Sequence, residues 1–221
     1  MLDAMRLLLI RHGQTIDNVH GALGTEVPGP PLTALGRKQA AAIPAALATE
    51  PLAAIYVSTM LRTQLTAAPL AHDRRLAATV ITGLQEIYAG SLEQRADPEA
   101  IQSYIGAVVA WRHDLSVRIP GGEDGNDFFG RYNAAIDAIA SQHDGTVAVI
   151  SHGAAIRTWT SSVACNIDEE FTRTHELTNT AIVTLEGAPT TGWVLTHWNG
   201  DPVGGVQLDD ASALDPTGDA A

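Results

Sequence analysis

Two short apolar runs, Leu7-Leu8-Leu9-Ile10 and Val147-Ala148-Val149-Ile150, each end in a histidine followed by a glycine. The first passes into Arg11-His12-Gly13 and the second into Ser151-His152-Gly153. Neither run alternates apolar with polar residues. Each therefore fits a strand covered on both faces, as in a parallel sheet packed between two layers of helices. In open α/β sheets the ligand crevice lies just beyond the carboxyl ends of the strands, where both histidines fall. A single such ending is compatible with a plain turn. Two of them, on strands lying side by side, would bring two imidazoles to one crevice.

The intervening chain supplies the partners such strands need. A glycine- and proline-rich loop, His20 to Pro31, cannot be regular structure and can fold over a site. Thr33 is placed to cap a helix through Ala34, Leu35, Gln39, Ala42, Ile43 and Leu47, which Pro44 should kink or divide. Leu52 to Val57 reads as a strand leaving through Ser58-Thr59 into a helix with Arg62, Leu65 and Leu70. Ala78 to Thr82 is a third short strand, followed at once by Leu84-Gln85-Glu86. Two helical patterns then interrupt the βα alternation. Pro98 to Leu115 carries Ile101, Ile105, Val108, Val109 and Trp111, and a second helix, opened by Asp124 or Asp127, carries Phe128, Tyr132, Ile136 and Ile139. This insertion, 97–143, is expected to cover the crevice and shape a substrate pocket. A helix over Ala154 to Val163 and strands over Thr180 to Leu185 and Trp193 to Trp198 complete the pattern.

The expectation is a three-layer α/β/α sandwich with a largely parallel central sheet. With 221 residues and 45% hydrophobic content, one large core is affordable in a single domain over 1–200. Residues 201–221 are acidic, lack apolar periodicity and are expected to be disordered. Thirteen Lys and Arg against twenty-five Asp and Glu give a net charge of −12, which opposes nucleic acid and anionic membranes as partners. A single cysteine, Cys165, rules out an intrachain disulfide and points to a reducing, cytoplasmic compartment. The segment Met1 to Ile10 has too short an apolar run for a signal peptide, and no stretch is long enough for a membrane span. Assembly into a homodimer is left open.

Arg11, His12, Arg62, Glu86 and His152 all fall at strand ends or the turns just after them. Two guanidiniums can clamp a phosphate through parallel hydrogen bonds. A neutral His12 imidazole could attack phosphorus while His152 and the arginines stabilise charge on the equatorial oxygens. Glu86, as a carboxylic acid, could protonate the leaving oxygen and then, as a carboxylate, activate water. Nearby Glu93 could take that role instead.

The motifs that carry this chemistry resemble the histidine phosphatase superfamily, also called the phosphoglycerate mutase-like family, up to about Gly200. Arg11-His12-Gly13-Gln14-Thr15 with Asn18 is similar to the family's R-H-G-[EQ]-[ST]-x-x-N signature. Pro31-Leu32-Thr33 with Gly36, Gln39 and Ala40 resembles its P-L-T-x-x-G-x-x-Q-A segment, and Ser58 to Ala67 its S-x-L-x-R-A-x-Q-T-A segment. Leu84, Glu86 and Gly90 match the stretch bearing the family's acid, Pro120-Gly121-Gly122-Glu123 its P-G-G-E turn, and Ser151-His152-Gly153 its second histidine. The resemblance implies a metal-independent enzyme with no cofactor, acting on a small-molecule phosphate ester through a phosphohistidine on His12. It also implies phosphate or substrate contacts from Arg11, Gln14, Thr15, Asn18, Gly24, Thr25, Arg62 and Gly153.

Met60, Thr63 and Leu65 depart from the family's usual Leu, Ala and Gln, and Gln94 follows Glu93 where phosphatase-like members often show Glu-Gly. The Tyr-Gly and Asn-Lys run of the mutase members is not reproduced by Ile87 to Leu92, which favours a phosphatase over a mutase. A non-catalytic phospholigand-binding protein would be expected to lack the nucleophile or the acid, and both residue types are here. His20, in the loop, is a further substrate-contact candidate. The acidic run Glu123 to Asp127 lacks the spacing of a calcium loop.

Overall fold

The computed structural model describes residues 5–218. A six-stranded sheet is built from β1 (Met5–Arg11), β2 (Leu52–Val57), β3 (Ala78–Val80), β4 (Thr146–Ser151), β5 (Ile182–Ala188) and β6 (Gly192–Asn199). Its order is β3-β2-β4-β1-β5-β6. The four strands from β3 to β1 are parallel, while β5 and β6 run antiparallel at one edge. The helices are α1 (Ile16–His20), α2 (Ala34–Ala46), α3 (Leu61–Arg74), α4 (Pro98–Ala110), α5 (Gly125–Ala140), α6 (Gly153–Val163) and α7 (Glu169–Thr174). None of the helices among the described residues is long and apolar enough to cross a membrane.

The two-sided burial expected of the central strands follows from their alternating side chains. Leu7 and Leu9 of β1, with Val147 and Val149 of β4, pack with Tyr104, Phe128, Tyr132, Ile136 and Trp159 from α4, α5 and α6. Leu8 and Ile10, with Ala148 and Ile150, pack on the other face with Ile43, Ala67 and Leu70 from α2 and α3. Leu7 to Ile10 are all 1% exposed or less. Burying a side chain of this size contributes about 1.5–3 kcal/mol, so a polar residue within Leu7 to Ile10 would be costly on either face of β1.

Local signals set most element ends. Thr33 caps α2 by accepting from Gly36 N at 3.0 Å. Asp124, rather than Asp127, caps α5; Asp127 completes the capping box from the third position. Pro44 does not divide α2. It lies in the last turn, where a missing N–H and a clash with one carbonyl affect only the helix end. The sequence reading missed α1 and α7, whose few residues are too short to show a period.

Residues 201–218 belong to the segment that the sequence leads one to expect disordered. These fold back over the carboxyl edge of the sheet, bonding through Asp210 to Gln14 and through Asp215 to Arg11. These contacts are polar. Residues 219–221 of that expectation, like residues 1–4 of the leader reading, lie outside the described residues.

Candidate active site

The register of the sheet assembles the site. Arg11 of β1 pairs with Ser151 of β4, so His12 and His152 step off adjacent parallel strands at one level. Their ring centroids are 5.2 Å apart with the planes tilted by 59°. The first turn of α3 brings Arg62 to the same place and is tied to the β1 turn. Gly13 N donates to Thr66 Oγ1 at 2.9 Å, and that hydroxyl donates to Arg62 O at 2.7 Å. From the other side the start of α2 presses against the turn. A Cβ on Gly36 would stand 2.2 Å from Gln14 O, so only glycine permits this approach.

His12 is held in a defined tautomer. Its Nδ1 lies 2.8 Å from Gly13 O, and a carbonyl can only accept. The proton of the neutral ring therefore sits on Nδ1 and the lone pair on Nε2. Burial first, then the positive charges of Arg62 and Arg11, hold its pKa well below 6.5, with the Gly13 hydrogen bond partly opposing. His152 is likewise pushed well below 6.5 by burial and then by Arg62, His12, Arg131 and Arg11. Its Nε2 is 2.8 Å from Ser58 Oγ. That hydroxyl is itself 3.0 Å from Thr63 Oγ1, which donates to Met60 O at 2.8 Å. Thr63, one of the departures from the family pattern, thus helps fix the group that faces His152.

Among the described residues, eight buried side-chain nitrogen or oxygen atoms make no hydrogen bond; half of them, Arg11 Nε, Arg62 Nε and Nη1, and His152 Nδ1, belong to this cluster. A buried unpaired donor costs about 1–3 kcal/mol, and the unpaired arginine N–H groups gathered around one imidazole are suited to an anion. Burial lowers the Arg62 pKa to about 10, with Glu86 and Asp17 opposing. The side chain remains a cation at neutral pH.

Glu86 lies in the loop after β3, with its carboxylate at the start of α6. Oε1 accepts from Ala155 N at 2.8 Å and Ile87 N at 3.0 Å, and Oε2 from Ala154 N at 3.2 Å. These bonds and the charges of Arg62 and Arg11 favour the carboxylate, yet burial outweighs them and raises its pKa above 4.5. The helical insertion fixes the loop: Arg131 of α5 donates to Gly83 O, Gln85 O and Glu86 O at 2.7, 2.8 and 2.9 Å. Glu123 in turn accepts from Arg131 Nε at 2.6 Å and from Tyr88 N at 3.0 Å.

A family model described as histidine phosphatase superfamily, branch 1, matches residues 7–201. The chain belongs to that superfamily. A PE-PGRS family protein, PE_PGRS11, of Mycobacterium tuberculosis is 36% identical over 225 residues, covering 93% of this chain. The chain spans only 38% of that relative's length. The adenosylcobalamin/alpha-ribazole phosphatase of Escherichia coli is 33% identical over 150 residues, 67% of this chain and 73% of the relative. The solved structure of a mycobacterial glucosyl-3-phosphoglycerate phosphatase superposes with a TM-score of 0.75 at 25% identity, covering 90% of this chain and all of the other.

In this member of the superfamily the remaining expected contacts divide. Gly24 reaches the site through its carbonyl, which accepts from Arg62 Nη2 at 3.1 Å. Thr15 and Asn18 bond each other, with Thr15 N 2.9 Å from Asn18 Oδ1. Gln14 is engaged by Gln39 through its backbone, and its Nε2 donates to Asp210 Oδ2 at 2.8 Å. Thr25 is turned to Glu93, which accepts from Thr25 N at 2.8 Å, Thr25 Oγ1 at 2.5 Å and Glu26 N at 3.1 Å. Glu93 is thereby committed to the loop, whereas Glu86 is buried with the arginines of the site. Gly153 opens α6 against Arg11, where a Cβ would lie 2.9 Å from Arg11 Nε. His20 is exposed at the end of α1.

The sequence reading missed the parts played by Arg131, Asp215 and the Ser58 hydroxyl. A lone arginine on an amphipathic helix and an aspartate in an acidic tail carry no local mark. Ser58 does stand in a family segment, beside Arg62, and that adjacency was the available signal.

Proposed function

We propose that this chain is a phosphatase that hydrolyses a phosphate monoester through a phosphohistidine on His12, without a metal ion. The observation that carries this reading is the set of buried, unpaired nitrogens of Arg11, Arg62 and His152 around a neutral imidazole whose Nδ1 is bonded to Gly13 O. In the first step His12 Nε2 attacks phosphorus and the P–O bond to the alcohol breaks. The leaving oxygen takes the Glu86 proton. Water then attacks the phosphohistidine, gives its proton to the Glu86 carboxylate, and the N–P bond breaks to release phosphate. Arg11 and Arg62 supply the positive field that divalent cations supply in other phosphoryl-transfer sites, with the buried His152 ring beside them.

A cavity of about 600 Å³ gives room for the alcohol. It is lined by Tyr104, Val108, Trp111, Phe129, Ala154 and Arg157, among others, from the helical insertion and α6. Ala154 also donates its N–H to Glu86 Oε2, so the cavity opens beside the group that protonates the leaving oxygen. Its aromatic and aliphatic walls favour an alcohol with a bulky, partly apolar body. The relatives named as phosphatases support hydrolysis of a small organic phosphate.

Rapid quench of wild-type protein with a ³²P-labelled monoester tests the mechanism. Acid-labile, base-stable label on His12, lost in His12→Ala, is expected, together with full activity in EDTA and inhibition by orthovanadate. Label on another residue, or EDTA inactivation rescued by a divalent ion, would overturn the reading.

A further inference from the structure

Among the described residues, the Arg11 guanidinium is fully buried and mostly engaged by residues near the C-terminal end of the chain. Nη2 lies 2.7 Å from Asp215 Oδ1, 2.6 Å from Asp215 Oδ2 and 3.0 Å from Thr217 Oγ1, while Nη1 donates to Leu177 O at 2.7 Å. Asn18 Nδ2 donates to the same Asp215 oxygen at 3.3 Å, and Gln14 Nε2 donates to Asp210 Oδ2. Two carboxylates of one segment thus bind three residues of the expected phosphate and substrate set. The segment also sits close above them: a Cβ on Gly218 would stand 1.9 Å from Arg11 Nη1. Pro216 and Thr217 further line the cavity assigned to the alcohol.

We propose that residues 208–218 form an autoinhibitory strap in which the Asp215 carboxylate competes with a phosphoryl group for Arg11. The choice of phosphate as the displaced anion rests on the phosphatase reading. A carboxylate and a phosphoryl group offer the same thing to a guanidinium, negative oxygens for its N–H donors, so the two compete for one cation. The strap is built to come away. Its fastenings are polar, from Leu208 O to Gln39 Nε2 at 2.8 Å through Asp210 and Asp215 to Gly218 O, which accepts from Leu177 N at 2.9 Å. Its apolar side chains contribute little to the core, with Val206, just before it, 74% exposed and Leu214 69% exposed. A segment with few buried apolar contacts opens at low free-energy cost. Opening would free Arg11 and join the alcohol cavity to the phosphate site.

The competitor model has a definite sign. A ligand's apparent affinity falls by the fraction of molecules competent to bind it, so a strap closed nine-tenths of the time weakens anion binding about tenfold. Calorimetric titration of orthovanadate and inorganic phosphate into full-length protein, Asp215→Ala, Asp215→Asn and a variant ending at Leu208 measures this without turnover. Asp215→Asn keeps an acceptor for Arg11 and removes the charge, guarding against loss of fold. About tenfold tighter binding in the variants, with a matching fall in KM for p-nitrophenyl phosphate, is expected. Unchanged or weaker binding in all of them, or weakening by Asp215→Asn that Asp215→Glu rescues, would show that Asp215 merely positions Arg11 and overturn the proposal. Tighter anion binding with no ester hydrolysis by any form would sink the phosphatase reading and leave the strap standing. Hydrolysis without tightening would do the reverse.

Discussion

Replacing Glu86 by glutamine separates its chemical role from its structural one. The carboxylate accepts backbone N–H groups from Ile87, Ala154 and Ala155. A glutamine oxygen can retain the two on Oε1, but the amide nitrogen then faces Ala154 N, leaving that donor unpaired at a cost of about 1–3 kcal/mol. That is a fraction of the roughly 5–15 kcal/mol typical of a folded domain, so the variant should fold with a lower denaturation midpoint. The kinetic loss is of another kind. Glutamine has no proton to give, and general acid catalysis is commonly worth about 10²- to 10⁴-fold, or about 2.7–5.5 kcal/mol in the barrier. An alkyl alkoxide leaves poorly without a proton, whereas nitrophenolate leaves well unaided. Rapid-quench measurement of the first turnover isolates phosphorylation of His12 from the later water attack, which also needs Glu86. The expected result is the full loss for an alkyl ester and a much smaller one for the nitrophenyl ester. Equal losses for both esters would show that Glu86 is not the proton donor.

The ionisation of the site predicts an acid-side optimum for kcat/KM. Because His12 must be neutral and its pKa lies well below 6.5, activity should persist as pH falls through 6.5 and fail only below it. Because Glu86 must be protonated and its pKa is raised above 4.5, activity should fall as pH rises through that raised value. Glu86→Gln should abolish this basic limb for an alkyl ester, once the ester's own ionisation near pH 6 is allowed for; an acid limb at or above 6.5 would contradict the assignment of His12. Gly36→Ala should lower stability by about 1–3 kcal/mol, the usual cost of overpacking, because the new methyl would stand 2.2 Å from the Gln14 carbonyl, which is backbone and cannot swing aside. Urea denaturation of this variant with an unshifted midpoint would refute the close-approach argument.

Sequence patterning and tertiary packing contributed different parts of this site. The apolar runs before His12 and His152 were legible because a strand buried on both faces has no room for polar side chains, and a run that stops at Arg-His-Gly or Ser-His-Gly marks the strand's end. Thr33 and Asp124 were legible as caps because a cap is local chemistry between residues three apart. The order of the motifs along the chain then placed Arg62 and Glu86 at the same edge. Sequence alone favoured Glu86 and left Glu93 as an alternative. Packing separated them, since Glu93 accepts from Thr25 and Glu26 while Glu86 is buried with the arginines and α6. Arg131 holds the Glu86 loop from 45 positions away in the chain, and Asp215 reaches Arg11 from 204. No periodicity links such pairs. A hydrogen bond or ion pair between distant residues depends on where the sheet and its covering segments bring two side chains, so only the folded chain could show which carboxylates lie against the arginines.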